Sequence, residues 1–220
     1  MADANYTSAR TIRLQAIAPV ATAAFLFGIS FGAVATTAGF GIESALLMSA
    51  TTFGGAAQVG SAAVLAAGGG ALSAILAGVL LNLRYLPMGV TASTAYTGPW
   101  YSRAAQAQLL GDETWALSRT PDGGHDARLL LQAGATVYVV WLAGTAIGVF
   151  AFKNVSVEAW GLDMVSPAIF FALLWGQLDS PKTRVAALAA VAVALVLVPF
   201  TPAGVPIAVA SLVCLMGLLR

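Results

Sequence analysis

Apolar residues run almost without interruption through this chain, and the polar positions collect at a few places between the runs. A helix needs a run of ~20 apolar residues to cross a bilayer. By that measure the sequence divides into seven apolar segments, at 16–38, 44–67, 71–91, 128–152, 164–177, 183–200 and 205–219. Gly68-Gly69-Gly70 and Thr201-Pro202-Ala203-Gly204 read as turns between them. The pattern predicts an all-α integral membrane protein built as a single membrane domain. A polar lead at 1–15 precedes a first repeat at 16–91. A polar connecting stretch at 92–127 follows, then a second repeat at 128–200 and a final helix at 201–220. Within the connecting stretch, the mix of Ala, Gln and Leu over 101–119 predicts a helix.

The second segment departs from the pattern. Its centre reads Thr51-Thr52-Phe53-Gly54-Gly55-Ala56-Ala57-Gln58. Glycine weakens a helix and admits backbone shapes that other residues avoid. An amide at membrane depth is costly unless something satisfies it. The segment is therefore expected to break at Gly54-Gly55. It either crosses with an unwound centre or turns back as a re-entrant hairpin.

Composition agrees with the hydropathy pattern. The chain of 220 residues is 59% hydrophobic and only 9% charged, against ~25% charged in soluble domains. A net charge of +1 without a basic patch gives no site for nucleic acid. The single cysteine, Cys214, allows no intrachain disulfide, and the single histidine, His125, lies in a polar glycine-bearing loop. No metal or cofactor site is expected. No metal-binding helix motif, phosphate loop or nucleophile–base set occurs, so the chain is not read as an enzyme. The run at 16–38 follows Arg10 and Arg13. It exceeds the ~7–15-residue core of a signal peptide and is read as a retained span.

Positive charges bear on orientation, because cytoplasmic loops carry the excess of Lys and Arg. If the second segment is re-entrant, Arg10, Arg13, Arg84, Arg103, Arg119, Arg128, Lys182, Arg184 and Arg220 share one side and only Lys153 lies opposite. If all seven segments cross, Arg10 and Arg13 join Lys153. A weak internal repeat pulls the other way. Gly28/Gly32 precede Gly41-Ile42-Glu43 and Gln58, and Gly144/Gly148 precede Gly161-Leu162-Asp163 and Gln177. Interrupted segments at matching places in two halves point to a transporter site. Three crossings per half would invert the repeat and move the N-terminus outside, so the orientation stays open at this stage.

A few polar residues are candidates for chemistry. Arg84 in an apolar segment either snorkels to the headgroups or offers a fixed cation to a carboxylate. Asn82 is a helix–helix hydrogen bond or part of a polar cavity. Gln58 beside Gly54 and Gly55 is either packed against a neighbour or part of a site at the freed backbone. Asp112 and Glu113 are a solvated helix face or carry protons at a raised pKa, and Asp163 is a helix cap or a third proton carrier.

Taken in order, Phe53-Gly54-Gly55-Ala56-Ala57-Gln58, Leu81-Asn82-Leu83-Arg84-Tyr85-Leu86-Pro87-Met88-Gly89, Asp112-Glu113-Thr114-Trp115-Ala116-Leu117 and Gly161-Leu162-Asp163 resemble the AzlC family over about 15–217. The resemblance implies the large subunit of a two-component exporter of branched-chain amino acids in the cell (inner) membrane. It implies proton coupling and a small membrane subunit of the AzlD type as partner. The family's recurring motifs fall here on Gln58, Asn82, Arg84, Asp112, Glu113 and Asp163. On this reading the substrate meets Gly54, Gly55, Gln58, Asn82 and Arg84, with its side chain toward Phe53. A rival expectation is a non-transporting membrane scaffold whose glycine pairs dock a partner.

Overall fold

The computed structural model describes residues 15–152, 161, 164, 168, 171, 174–175, 178–201 and 205–214. Among these residues the chain is helical and holds no strand. The helices are α1 (Ile17–Thr37), α2 (Ile42–Thr52), α3 (Gly55–Ala66), α4 (Ala71–Asn82), α5 (Tyr85–Ala92), α6 (Trp100–Ala107), α7 (Asp112–Ser118), α8 (Ala127–Ala151), α9 (Pro181–Leu197) and α10 (Val205–Cys214). Three stretches among the described residues are long and apolar enough to cross a membrane: Ile17–Thr37, Ala71–Ala95 and Ala127–Ala151. The sequence led us to expect seven segments. The second of them is two half-length helices, and most of the fifth, with Asp163 and Gln177, lies outside the described residues.

The polarity is inverted relative to a water-soluble protein. Leu72, Ile75, Val79, Leu86 and Val90 of α4 and α5 stand exposed, while Ser30, Ser49, Gln58, Ser61 and Thr145 are buried. This is the distribution of a membrane protein, where the apolar face meets lipid and polar groups must be satisfied inside.

The frame is a crossing of α1 on α8. A methyl group on Gly28, Gly32, Gly144 or Gly148 would collide with the carbonyl oxygen of Trp141, Thr145, Phe25 or Ile29 respectively. The backbones touch, as small-residue pairs four apart permit. Gly28 meets Trp141 and Gly144, and Gly32 meets Thr145 and Gly148. The contacts advance in the same direction on both helices, so α1 and α8 run parallel. Equivalent helices of an inverted repeat would run antiparallel. The version with three crossings per half does not fit this pair.

The second segment breaks where the sequence predicts, but the unusual backbone falls on a different residue. Phe53 is left-handed (φ 39, ψ 48), and Gly54 is extended. A Cβ on Gly54 would stand 2.6 Å from Asn82 Oδ1, so the Asn82 amide packs directly against the backbone of the break. Phe53 is anchored by its ring, edge-on to Tyr138 at 5.0 Å. A non-glycine residue in this region stores strain of about 1–3 kcal/mol.

Beyond the break the chain doubles back. Gln58 Nε2 donates to Ser49 Oγ at 2.9 Å. Nine residues along one straight helix would separate the two by roughly 13 Å. Descending α2 passes Ser49 beside Thr145 and reaches Phe53 beside Tyr138, near the middle of the 25-residue α8. Ascending α3 then lies against α1 and α4, with Ser61 Oγ donating to the Ala74 carbonyl at 2.8 Å. Helix α4 descends again to place Asn82 at Gly54. Two chain breaks, at 53–54 and 108–111, and the helical turn at 83–84 between α4 and α5 thus gather around the middle of α8.

The connecting stretch is less regular than the sequence predicts. The single helix expected over 101–119 is split into α6 and α7. Gly111 N–H is taken by Thr114 Oγ1 at 2.8 Å, which closes the start of α7 locally and ends the preceding turn.

Candidate substrate-binding site

A cavity of about 330 Å³ lies where the breaks meet, between α1, α3, α7 and α8. Its two ends differ in character.

The polar end is built from the breaks and the helical turn. Arg84, in the turn between α4 and α5, pairs with Asp112 at the start of α7, at 2.8 Å. Both side chains are more than a third exposed, which leaves room for a third charged group. Arg84 Nε is buried and has no partner, so the guanidinium still has a donor to give. Its Cζ lies over the Tyr85 ring, 5.3 Å from the ring centre. Glu113 lines the same end. Burial pushes its carboxyl above the usual range. The charge of Asp112 adds to the rise, and its own backbone hydrogen bond and Arg84 oppose it. Burial and the charge of Asp112, the carboxylate that pairs with Arg84, thus act together to raise the Glu113 carboxyl.

The first turn of α3 also faces the cavity, through Gly55 and Ala56. Its cap residue, Gly54, offers no side-chain acceptor. The first intrahelical bond of this turn is Gln58 N–H to the Gly54 carbonyl. The N–H groups before it are free to face an anion, at the positive end of the helix dipole.

The other end is apolar. Phe27, Phe53, Val137 and Trp141 close it. Phe27 and Trp141 meet edge to face at 5.2 Å, and both are buried. A largely apolar pocket with a few convergent charges at one end is the common form of a small-molecule site.

The structure thus gathers Phe53, Gly55, Arg84, Asp112 and Glu113 around one space. Two other candidates point elsewhere. Gln58 is fully buried and belongs to a polar knot with Ser49, Thr145 and Trp141. Asn82 lines a larger cavity of about 670 Å³ between α2, α3 and α4. Its Oδ1 is buried beside Gly54 without a hydrogen-bond partner, as is Gln58 Oε1. Asp163 lies outside the described residues. His125 stays in its loop, its Nδ1 2.8 Å from Ser118 Oγ. Burial and the Arg119 charge hold its imidazole below the usual range.

Several residues that build the site were not singled out from the sequence. Gln108 reaches from the end of α6 to donate to the Ala50 and Thr51 carbonyls at 3.1 and 3.0 Å. Tyr138 Oη donates to Ala50 O at 2.8 Å. Together they cap the C-terminal end of α2 at the break. The available signal was the break itself, because a helix ending inside a membrane leaves carbonyls that must find donors.

The family model described as AzlC protein matches residues 19–155. The branched-chain amino acid transport protein AzlC of Bacillus subtilis is 25% identical over 170 residues, which are 76% of this chain and 67% of that one. An uncharacterized membrane protein of Archaeoglobus fulgidus is 30% identical over 196 residues, covering 85% of this chain and 84% of its own. Another, from Helicobacter pylori, is 23% identical over 155 residues, or 69% and 68% of the two chains. No solved structure matches.

Proposed function

The chain belongs to the AzlC family, and from that premise we propose that it exports small neutral amino acids of the branched-chain class, with the substrate held in the 330 Å³ cavity. One observation carries the reading. A guanidinium–carboxylate pair, Arg84–Asp112, stands at one end of a largely apolar pocket. A zwitterion presents the complementary pair, with its carboxylate to Arg84 and the first turn of α3, and its ammonium to Asp112. An aliphatic side chain then fills the space before Phe27, Phe53 and Trp141. Gly54 and Gly55 serve by leaving backbone exposed. Gln58 and Asn82 serve by holding the break open from either side.

Orientation follows from the parallel frame. Two parallel crossings require an odd number of crossings between them. The stretch Ala71–Ala95 supplies one, and the doubled-back α2–α3 pair supplies none. This supports a re-entrant hairpin, an N-terminus on the same side as the 93–126 stretch, and a cytoplasmic placement by the positive charges. The cavity then faces the cytoplasm, as an exporter's loading site does. Glu113 is the candidate proton carrier, since burial raises its carboxyl above the usual range and it lines the same cavity. A small membrane subunit of the AzlD type is the proposed partner, and the exposed apolar face of α4 and α5 offers it a surface.

Counterflow of labelled leucine in proteoliposomes, with and without the small subunit, tests the reading. Uptake that requires this chain and is lost in Arg84→Gln and Asp112→Asn is expected. Full counterflow by the small subunit alone would make this chain a scaffold. Undiminished counterflow in both variants would remove the cavity from the transport path.

A further inference from the structure

We infer that Phe27 sets the length of the amino-acid side chain that the cavity accepts. The inference rests on the reading of this cavity as the substrate site. The cavity has fixed ends. At one end Arg84 and Asp112 hold the charged groups. At the other, Trp141 cannot retreat. Its indole lies between the ring of Phe27, 5.2 Å away edge-on, and that of Phe31, stacked at 6.5 Å. Its Nε1 reaches Ser49 Oγ at 3.3 Å. The α1 backbone behind Phe27 is fixed as well, because Gly28 lies directly on α8. A side chain of substrate is thus measured between a charged anchor and an aromatic floor.

Of the residues in that floor, Phe27 is the largest that stands outside both the polar knot and the break. Trp141 belongs to the polar knot, and Phe53 carries the left-handed backbone of the break. The floor is already tight from the third side. A Cβ on Gly55 would stand 3.0 Å from both Phe27 Cε1 and Trp141 Cη2. At that point the two rings and the first turn of α3 leave no room for a further methyl group. In such pockets one methylene shifts discrimination by about 10–200-fold.

The test is a competition series in proteoliposomes holding this chain and its small subunit. Unlabelled alanine, valine, leucine, methionine and phenylalanine compete against labelled valine, and only the ratios within each variant are read, so expression cancels. Phe27→Leu should raise phenylalanine and methionine roughly tenfold relative to leucine. Phe27→Trp should lower leucine roughly tenfold relative to alanine, and Gly55→Ala should act in the same direction. The ratios are read on whatever transport remains. Ligand-induced stabilisation of the detergent-solubilised protein supplies the same order independently. Unchanged ratios in both Phe27 variants, beside a wild type that carries valine, overturn this inference and leave the transport reading standing. A wild type that neither carries nor is stabilised by any aliphatic amino acid overturns both.

Discussion

Replacing Ser49 by alanine is the sharpest test of how the broken segment is held. Ser49 Oγ accepts from Gln58 Nε2 at 2.9 Å and from Trp141 Nε1 at 3.3 Å. Both lone pairs are used, so its own proton goes to Thr145 Oγ1 at 2.9 Å. Thr145 in turn donates to the Trp141 carbonyl at 3.0 Å. Ser49→Ala leaves two N–H donors without acceptors. Water does not reach them, since Gln58, Ser49 and Thr145 are 0% exposed and Trp141 is 5% exposed. An orphaned buried donor costs about 1–3 kcal/mol. The longer Trp141 bond belongs at the low end, so the sum is roughly 2–5 kcal/mol. For a chain of this size each kcal/mol lowers Tm by about 2–4 °C, giving a fall of roughly 4–20 °C. Thermal unfolding in detergent measures it. Gln58→Leu in the same background removes one orphan, so the double variant should be more stable than the sum of the single effects, by about 0.5–3 kcal/mol. A fall below about 2 °C, or strict additivity, would refute the reasoning.

Four further outcomes follow from the same geometry. Gly148→Ala drives a methyl group into the Ile29 carbonyl and should destabilise by at least about 1–3 kcal/mol. Gly89→Ala, a helical position with nothing within 4 Å, should be neutral or stabilising in the same melts. Gln108→Ala bares the Thr51 carbonyl and leaves Ala50 to Tyr138 alone, at a cost of about 0.5–1.5 kcal/mol per lost bond; hydrogen exchange should accelerate at the end of α2 first. Glu113 has a raised pKa in the folded chain, so its contribution to stability is fully present below the ordinary carboxylate range and is lost as pH rises through the raised value. Glu113→Gln should therefore melt higher than wild type at neutral pH and flatten the pH dependence of both stability and transport.

The break was legible in the sequence because Gly54-Gly55 and Gln58 violate the pattern of a lipid-facing helix. Arg84, Asp112 and Glu113 were legible for the same reason, as charges beside apolar runs. Their meeting was not, because it depends on two breaks and a helical turn reaching one depth of α8, and no local spacing encodes depth. The direction of Gln58 was also hidden. With ~100° per residue on a helix, Ala56 faces the smaller cavity and Ala57 the larger. That leaves Gln58 the face toward α2. A serine in an apolar run reads as a small packing residue, so Ser49 gave no sign that it accepts two hydrogen bonds. The glycine pairs signalled close approach but not that α1 and α8 approach each other.

The polar knot also sets an order of events during synthesis. Ser49 and Thr145 are 96 residues apart in the chain. At ~5–20 residues per second the ribosome needs about 5–20 s to make the second after the first. For that interval Gln58 and Ser49 already occupy the insertion machinery without the helix that encloses them. The hairpin cannot be completed when it is made. Its buried amide waits for α8, and so do Ala50 and Thr51 for Gln108. Chains stalled before residue 127 should hold the 42–66 stretch in a form open to reagents that the finished protein excludes.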